Sequence, residues 1–450
     1  MPRALPKILL SLDPGGSQTK SIYLLPKDEK PRYQLMAPEL EEISRDDFDR
    51  YMERESKLSN PAPNKQAYLE VNKQIFAVGY FATKFGAEDR LEEVKYENAL
   101  YKVLAAVGAI VAENNLNPQR ISLQLSILLP WNEYEDRKRF KQKLIEYLKD
   151  FTFRGKAYSI ELGEFVCRPE GGGLAALYNS KKGERWFQEH RIGVLMFGHR
   201  NITALNFDYG ELTGDSPKIG FYQFLDRVVR RTSGLDRNSL VQAIFKAIKL
   251  SEYDKFNKRH GSKVEIGFYF HAKDAEHIFY PCWKKFQPIQ ELASARDVDL
   301  RNQEVDAIHQ ALEVARGEYW ETVSKWLKKV FPHDLDLVII SGGAAKFLQS
   351  DLEKHFNLKH ECAKSEWRTY KRTGNYVAID NQKPSTPIIW GSGSVNRIKE
   401  TLSIEEKKEQ RDSLSYRLVD VYGMFEVLVS KCQKRKKPSA KSTKQKEAAS

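Results

Sequence analysis

Asp13-Pro14-Gly15-Gly16-Ser17-Gln18-Thr19-Lys20 is the stretch on which the reading of this sequence turns. It follows the apolar run Lys7 to Leu12 and precedes Ser21 to Leu25, which resumes an extended pattern, so it reads as the polar, glycine-bearing turn of a β-hairpin. Glycines let backbone N–H groups approach a phosphate without a Cβ in the way, and Lys20 supplies a point charge. Asp13, at a strand end, is placed to hold a hydrated magnesium ion, which keeps most of its waters and takes few carboxylates. Taken alone, the same residues read more readily as an ordinary glycine-rich turn with a solvated lysine.

Outward from this turn the chain alternates strand-like and helix-like blocks. Glu39 to Asn64 is polar, charged and proline-flanked, which predicts a surface excursion, and Ala67 to Val78 returns to strand-like alternation. Ala99, Leu100, Val103, Leu104, Val107, Ile110 and Val111 fall at the three-to-four spacing of an amphipathic helix over Tyr96 to Asn114. Ile121 to Leu129 reads as a buried strand, Glu133 to Asp150 as a charged surface helix, and Ser159 to Val166 as a further strand. The second half repeats this grammar. Arg191 to Phe197 and Asn201 to Phe207 are paired apolar segments, and Gly220 to Ser233 and Val305 to Val330 read as helices. Asp336 to Ile340 is a strand, Lys346 to Phe356 a helix, Ile388 to Trp390 an apolar segment meeting glycines, and Ile404 to Cys432 a mostly helical end. Two α/β halves are the economical reading.

The 450 residues allow two to four domains at roughly 100 to 200 residues each, and no period of about 20 to 50 residues suggests a solenoid. With 41% hydrophobic residues the chain carries enough apolar mass for packed cores, which excludes wholesale disorder. The runs Ile8-Leu9-Leu10 and Leu335 to Ile340 are far shorter than the roughly 20 residues of a membrane span, and MPRALPKILLSLD shows no cleavage site. Cys167, Cys282, Cys362 and Cys432 form no C-x-x-C, so neither a disulfide framework nor a zinc ribbon is indicated. The expectation is a soluble cytoplasmic protein with no membrane contact. Net charge is +12, of which residues 431–450, with eight Lys/Arg against one Glu, contribute +7. That tail is expected to be disordered, either solubilising or in sequence-independent contact with DNA through counterion release.

Three further constellations can carry chemistry. Glu170, between Pro169 and three glycines at a strand end, can orient an attacking water, or is simply a glutamate favoured by the dipole of the following helix. Ser341-Gly342-Gly343-Ala344, between strand and helix, would let a nucleoside lie on bare backbone, or is an ordinary β-to-α turn. In Phe197-Gly198-His199-Arg200-Asn201, backbone amides with Arg200 and Asn201 can clasp β- and γ-phosphates, or form a plain hairpin turn.

The order of these pieces along the chain resembles the nucleotide cleft of the actin superfamily, and in particular the ParM/StbA family of bacterial plasmid-segregation actins. A hairpin with D-x-G-x-x-x-x-K comes first, then P-E-G with small residues, a second hairpin turn, and a late strand-GG-helix. Leu69-Glu70-Val71 with Ala77-Val78-Gly79, Lys95-Tyr96-Glu97 leading to Leu104-Ala105-Ala106-Val107-Gly108, and Pro217-Lys218-Ile219-Gly220-Phe221-Tyr222 are also similar to the family's segments. The resemblance covers approximately residues 7 to 400 and implies an α/β, actin-like (duplicated ribonuclease H-like) two-domain ATPase fold with a central nucleotide cleft. It further implies residues 1–190 as domain I, with 31–100 as its smaller subdomain, 191–386 as domain II, 387–430 as a return to domain I, and 431–450 as the tail.

By the same resemblance Asp13 lies near the Mg²⁺, and Gly15, Gly16, Ser17, Thr19 and Lys20 lie near the phosphates of ATP. Glu170 with Asp13 is catalytic, Gly198, His199 and Asn201 belong to the second phosphate hairpin, and Gly342 with Gly343 packs on the nucleoside. One departure stands out. The family usually has an aspartate before the glycines of the second hairpin, whereas this chain reads Met196-Phe197-Gly198-His199. Methionine cannot hold a magnesium water, so nucleotide binding is a firmer expectation than hydrolysis. The implied function is an ATPase forming nucleotide-dependent homo-oligomeric filaments in plasmid segregation, working through a DNA-binding adaptor. The alternatives are a nucleotide-dependent binding module that barely hydrolyses and a sugar-kinase-type phosphotransferase, for which no sugar-binding signature is present.

Overall fold

The computed structural model describes residues 5–55, 61–87, 95–232, 234–260, 283–331, 335–356, 386–404 and 414–434. The chain divides into two compact units, one formed by Met1–Trp186 with Gly391–Ser450 and the other by Phe187–Trp390.

In the first unit, β1 (Lys7–Pro14) turns back antiparallel into β2 (Thr19–Leu24), which pairs with β3 (Arg32–Met36). Three short strands follow, β4 (Leu40–Ile43) and the hairpin of β5 (Ala67–Val71) and β6 (Gln74–Val78). The helix Lys95–Glu113 then leads to β7 (Ile121–Leu129), parallel to β1. After β8 (Phe151–Phe153) and β9 (Lys156–Tyr158), β10 (Ile160–Pro169) lies parallel to β7. The main sheet is therefore ordered β10-β7-β1-β2-β3, and a smaller sheet is ordered β4-β6-β5-β8-β9.

Side-chain alternation decides which helix covers which face of the main sheet. Leu10, Leu12, Leu123, Leu125 and Ile127 share one buried cluster with Ala99, Leu100, Val103, Leu104 and Val107 of the helix Lys95–Glu113. The intervening serines face the helix Val419–Lys434. Ser11 Oγ donates to the Val421 carbonyl at 2.9 Å and Ser126 Oγ to that of Met424 at 3.3 Å. Small hydroxyl side chains thus let this last helix sit close to the strands that point at the site.

The second unit repeats the pattern. Antiparallel β11 (Arg191–Phe197), β12 (Ile202–Asp208) and β13 (Glu211–Asp215) are extended by parallel β14 (Leu337–Ser341) and β15 (Ile388–Trp390). The order β13-β12-β11-β14-β15 is that of the first sheet, strand for strand. β14 is buried along its whole length, as a parallel strand covered on both faces must be. The helices Phe221–Val229 and Val298–Val330 supply Phe224, Leu225, Tyr319, Val323 and Leu327 to its core.

Two expectations are corrected. Glu39 to Asn64 is not merely a surface excursion, because it holds β4 and the helix Arg45–Arg54. That helix is capped by Ser44, whose Oγ accepts the Asp47 N–H at 3.1 Å. Phe48, with Tyr51 and Met52 packed beside it, seats the helix in a small cluster with Ile43, Ile75 and Phe81. The tail begins later than expected, since Lys431 to Lys434 still belong to the last helix, and residues 435–450 lie outside the described residues.

Candidate functional site

The first unit gathers its charged residues where the C-terminal ends of β1 and β10 meet the start of the helix Lys95–Glu113. Asp13 and Lys20 are register partners in the β1–β2 hairpin, so their side chains lie together, and Lys20 Nζ reaches Asp13 Oδ2 at 2.5 Å. Lys95 Nζ reaches Asp13 Oδ1 at 3.4 Å and also donates to Glu170. Glu170 is brought there because its own N–H continues the β10 ladder onto the Leu129 carbonyl at 2.8 Å. Asp13 is 6% and Lys95 8% exposed, so these charges interact where water screens them little.

Burial alone would raise the Asp13 carboxyl. The ammonium groups of Lys20 and Lys95 outweigh it and hold Asp13 at about 2. Burial works against the charged form of Lys95, and Glu170 and Asp13 overcome it, so this ammonium is held above its ordinary value.

Behind this cluster, Asp420 caps the helix Gly172–Lys182. Its Oδ2 accepts the Gly171 N–H at 2.7 Å and its Oδ1 the Leu174 N–H at 2.9 Å. Complete burial, with the charges of Asp13 and Glu170 adding, pushes Asp420 up to about 7 although both backbone hydrogen bonds oppose this. The cap is possible because Gly173 and Gly423 allow the two helices to touch backbone to backbone. A Cβ on Gly173 would lie 1.9 Å from the Asp420 carbonyl oxygen, and one on Gly423 2.0 Å from that of Gly173. Arg417 Nη2 donates to Gln18 Oε1 at 2.9 Å, tying the same end of the chain to the β1–β2 turn.

The glycine turn itself is open. Gly15, Gly16 and Lys20 are half-buried and Ser17 is exposed, whereas Thr19 Oγ1 is buried with no hydrogen-bond partner among the described residues. A buried hydroxyl in that condition is open to an acceptor, although Thr19 and Lys20 are consecutive in β2 and so point to opposite faces of the sheet.

In the second unit, Gly342, with φ at +105°, passes so close to the β11–β12 turn that a Cβ would stand 2.2 Å from the Phe197 carbonyl oxygen. Gly198 and Gly342 are therefore brought together, and Ser341 Oγ beside them is buried with no hydrogen-bond partner among the described residues. The polar groups of the turn serve the fold. Gly198 N–H donates to the Asn201 carbonyl at 3.0 Å, and Asn201 Nδ2 donates to that of Ser216 at 2.8 Å. The His199 carbonyl accepts the Tyr222 N–H at 3.0 Å where the helix Phe221–Val229 begins. The expectation that Asn201 reaches toward phosphate meets a buried side chain already turned inward. Met196 pairs in register with Ser341 and is buried, so no carboxylate occupies this strand position.

The sequence reading missed Lys95 as a site residue, although it quoted the segment, and missed Asp420 and Arg417 altogether. A lysine immediately before a helix of buried small residues was the available signal for Lys95. For Asp420 it was a lone acid in the apolar run Val419-Asp420-Val421-Tyr422.

Magnesium held on Asp13 does not fit these residues. Each oxygen of the carboxylate faces an ammonium group, and a dication would stand against two positive charges. Among the described residues no group of three or more His, Cys, Asp or Glu is placed to hold a metal ion. Nor is any helix among them long and apolar enough to cross a membrane.

Two five-stranded sheets of one order in one chain, each with an antiparallel hairpin followed by parallel strands, define the duplicated ribonuclease H-like, actin-like fold. No protein-family model and no curated protein matches the chain. Among solved structures it is similar to the Alp12 filament structure, at 13% identity over 95% of this chain and 99% of that one, with a TM-score of 0.45. It is also similar to Ta0583, an archaeal actin homolog, at 12% identity over 93% and 98%, with a TM-score of 0.47. Bacillus thuringiensis ParM with ADP matches at 12% identity over 95% and 99%, with a TM-score of 0.48.

Proposed function

We propose that this chain is an actin-like nucleotide-binding protein that takes ATP at the β1–β2 turn and assembles with copies of itself in response. The observation that carries the reading is the buried cluster of Asp13, Lys20, Lys95 and Glu170 beside a glycine turn. Two cations and exposed backbone there suit phosphate oxygens. Gly15, Gly16, Ser17, Thr19 and Lys20 are assigned to the phosphates, and Gly198, His199, Gly342 and Gly343 are further nucleotide-binding residues of the second unit. Glu170 is the residue proposed to orient water, by position more than by basicity. Filament formation, a role in moving plasmid DNA through an adaptor, and DNA contact by the lysines of residues 431–450 belong to the same proposal.

A second reading, a nucleotide-dependent binding module with slow turnover, is favoured by the Lys95–Glu170 ion pair, which engages the carboxylate that would orient water, and by Met196 in the second hairpin. ATP titration followed by light scattering and pelleting tests the first reading, with nucleotide-dependent sedimentation expected. Monomeric behaviour under ATP and ADP alike removes assembly and leaves binding to be judged by calorimetry. Phosphate release equal to that of Glu170→Ala, with ATP binding retained, selects the second.

A further inference from the structure

The ammonium of Lys95 occupies the position from which a cation would touch both Asp13 and Glu170, with the charge of Glu133 also acting on it. It reaches Asp13 Oδ1 at 3.4 Å and hydrogen-bonds Glu170, while Lys20 takes the other Asp13 oxygen. Two carboxylates are thus neutralised by two lysines built into a β-hairpin and a helix start, with Lys95 8% exposed. Arg417, anchored on Gln18 of the glycine turn, adds a further positive charge facing Asp13. Asp420 contributes little negative charge here, since burial keeps its carboxyl largely protonated up to about pH 7.

We propose that Lys95 is the resident counter-cation of the phosphate site, so that this chain binds nucleotide without requiring a divalent cation. The inference rests on the nucleotide-binding reading above and goes beyond it. A lysine ammonium is a compact point charge with three donors. Its bonds to Asp13 and Glu170 account for two, and among the described residues the third meets no further acceptor, so a phosphate oxygen can take it. Magnesium demands near-octahedral oxygen coordination and gives up its waters reluctantly. A fixed ammonium demands neither, and a divalent ion entering beside it would meet like charge.

The test is ATP affinity measured by calorimetry on the full chain, with magnesium and with a chelator, for the wild type and for Lys95→Met. Binding of Mn²⁺ to the protein–ATP mixture is followed in parallel by electron paramagnetic resonance. In the wild type, chelation is expected to change ATP affinity by less than about fivefold. In Lys95→Met, it is expected to weaken binding by more than about fivefold, and protein-bound Mn²⁺ should appear where the wild type shows none. A larger loss in the wild type overturns the proposal, as does a Lys95→Met protein that binds ATP equally with and without the ion. If removal of Lys95 unfolds the protein, the wild-type chelation and Mn²⁺ measurements decide alone. Absence of ATP binding in the wild type under both conditions overturns the nucleotide-binding reading, and this inference with it. Loss of binding on chelation alone overturns only the inference.

Discussion

The carboxylate of Asp420 accepts the N–H of Gly171 at 2.7 Å across 249 positions of sequence, closing the start of a helix with an acid from the last helix of the fold. Burial raises this acid from 3.8 to about 7, so between those values the folded state binds a proton more tightly than the unfolded chain. Stability from this group is therefore full below pH 3.8 and is lost as pH rises through about 7. Denaturant titrations at about pH 5 and about pH 8 should show the wild type weaker at the higher pH. Asp420→Asn should narrow that difference, at a cost of about 1–3 kcal/mol for the backbone donor it leaves unpaired.

Asp13 behaves in the opposite sense. Its carboxyl is held at about 2, below the ordinary 3.8, so its contribution is present above 3.8 and is lost as pH falls toward 2. This window does not overlap that of Asp420. Lys20→Met removes the stronger of the two cationic influences, and the Asp13 pKa should rise. Acid unfolding followed by circular dichroism is expected to begin at a higher pH than in the wild type.

In the second unit, Arg316 and Asp351 form a hydrogen-bonded ion pair with exposures of 7% and 4%. Arg316→Met removes this cation from the buried Asp351 carboxylate and should cost about 3–5 kcal/mol in urea unfolding. The double variant Arg316→Met with Asp351→Leu should recover most of that loss. A double variant as unstable as the single one would show that the pair is needed for more than charge balance.

The glycine crossing predicts a contrast between two identical substitutions. Gly423→Ala places a methyl 2.0 Å from the Gly173 carbonyl oxygen and should destabilise by about 3 kcal/mol. Gly317→Ala, in the helix Val298–Val330 with nothing within 4 Å of the new methyl, should stabilise by about 0.5–1 kcal/mol. Thermal melts of the two variants, moving in opposite directions, are the expected result.

Local pattern made much of the fold legible. The apolar runs of β1, β11 and β12 and the three-to-four spacing from Ala99 to Val111 are properties of neighbouring residues, and the structure follows them. The helix Arg45–Arg54 escaped because its burial depends on Phe48, Tyr51 and Met52 amid charges, a stripe too thin to show as periodicity. In the site, Asp13 and Lys20 were readable because a hairpin register brings them together. Lys95 and Asp420 were not, because their roles exist only once strands far apart in sequence lie side by side. The inward bond of Asn201 was hidden for a related reason. The Ser216 carbonyl that claims its amide is supplied by the chain leaving β13.

The first unit is made of two separated stretches, Met1–Trp186 and Gly391–Ser450, while the second is the continuous stretch Phe187–Trp390. During synthesis at about 5–20 residues per second, Asp420 leaves the ribosome roughly 10–50 s after the Gly171 that it serves. Until then the serine side of β1 and β7 lacks its covering helix, and the amides of Gly171 and Leu174 lack their acceptor. The middle of the chain can finish folding on the ribosome before the beginning does. A nascent chain stalled between Trp390 and Val419 would carry an incomplete N-terminal body, and that is the stage at which a chaperone has the most surface to hold.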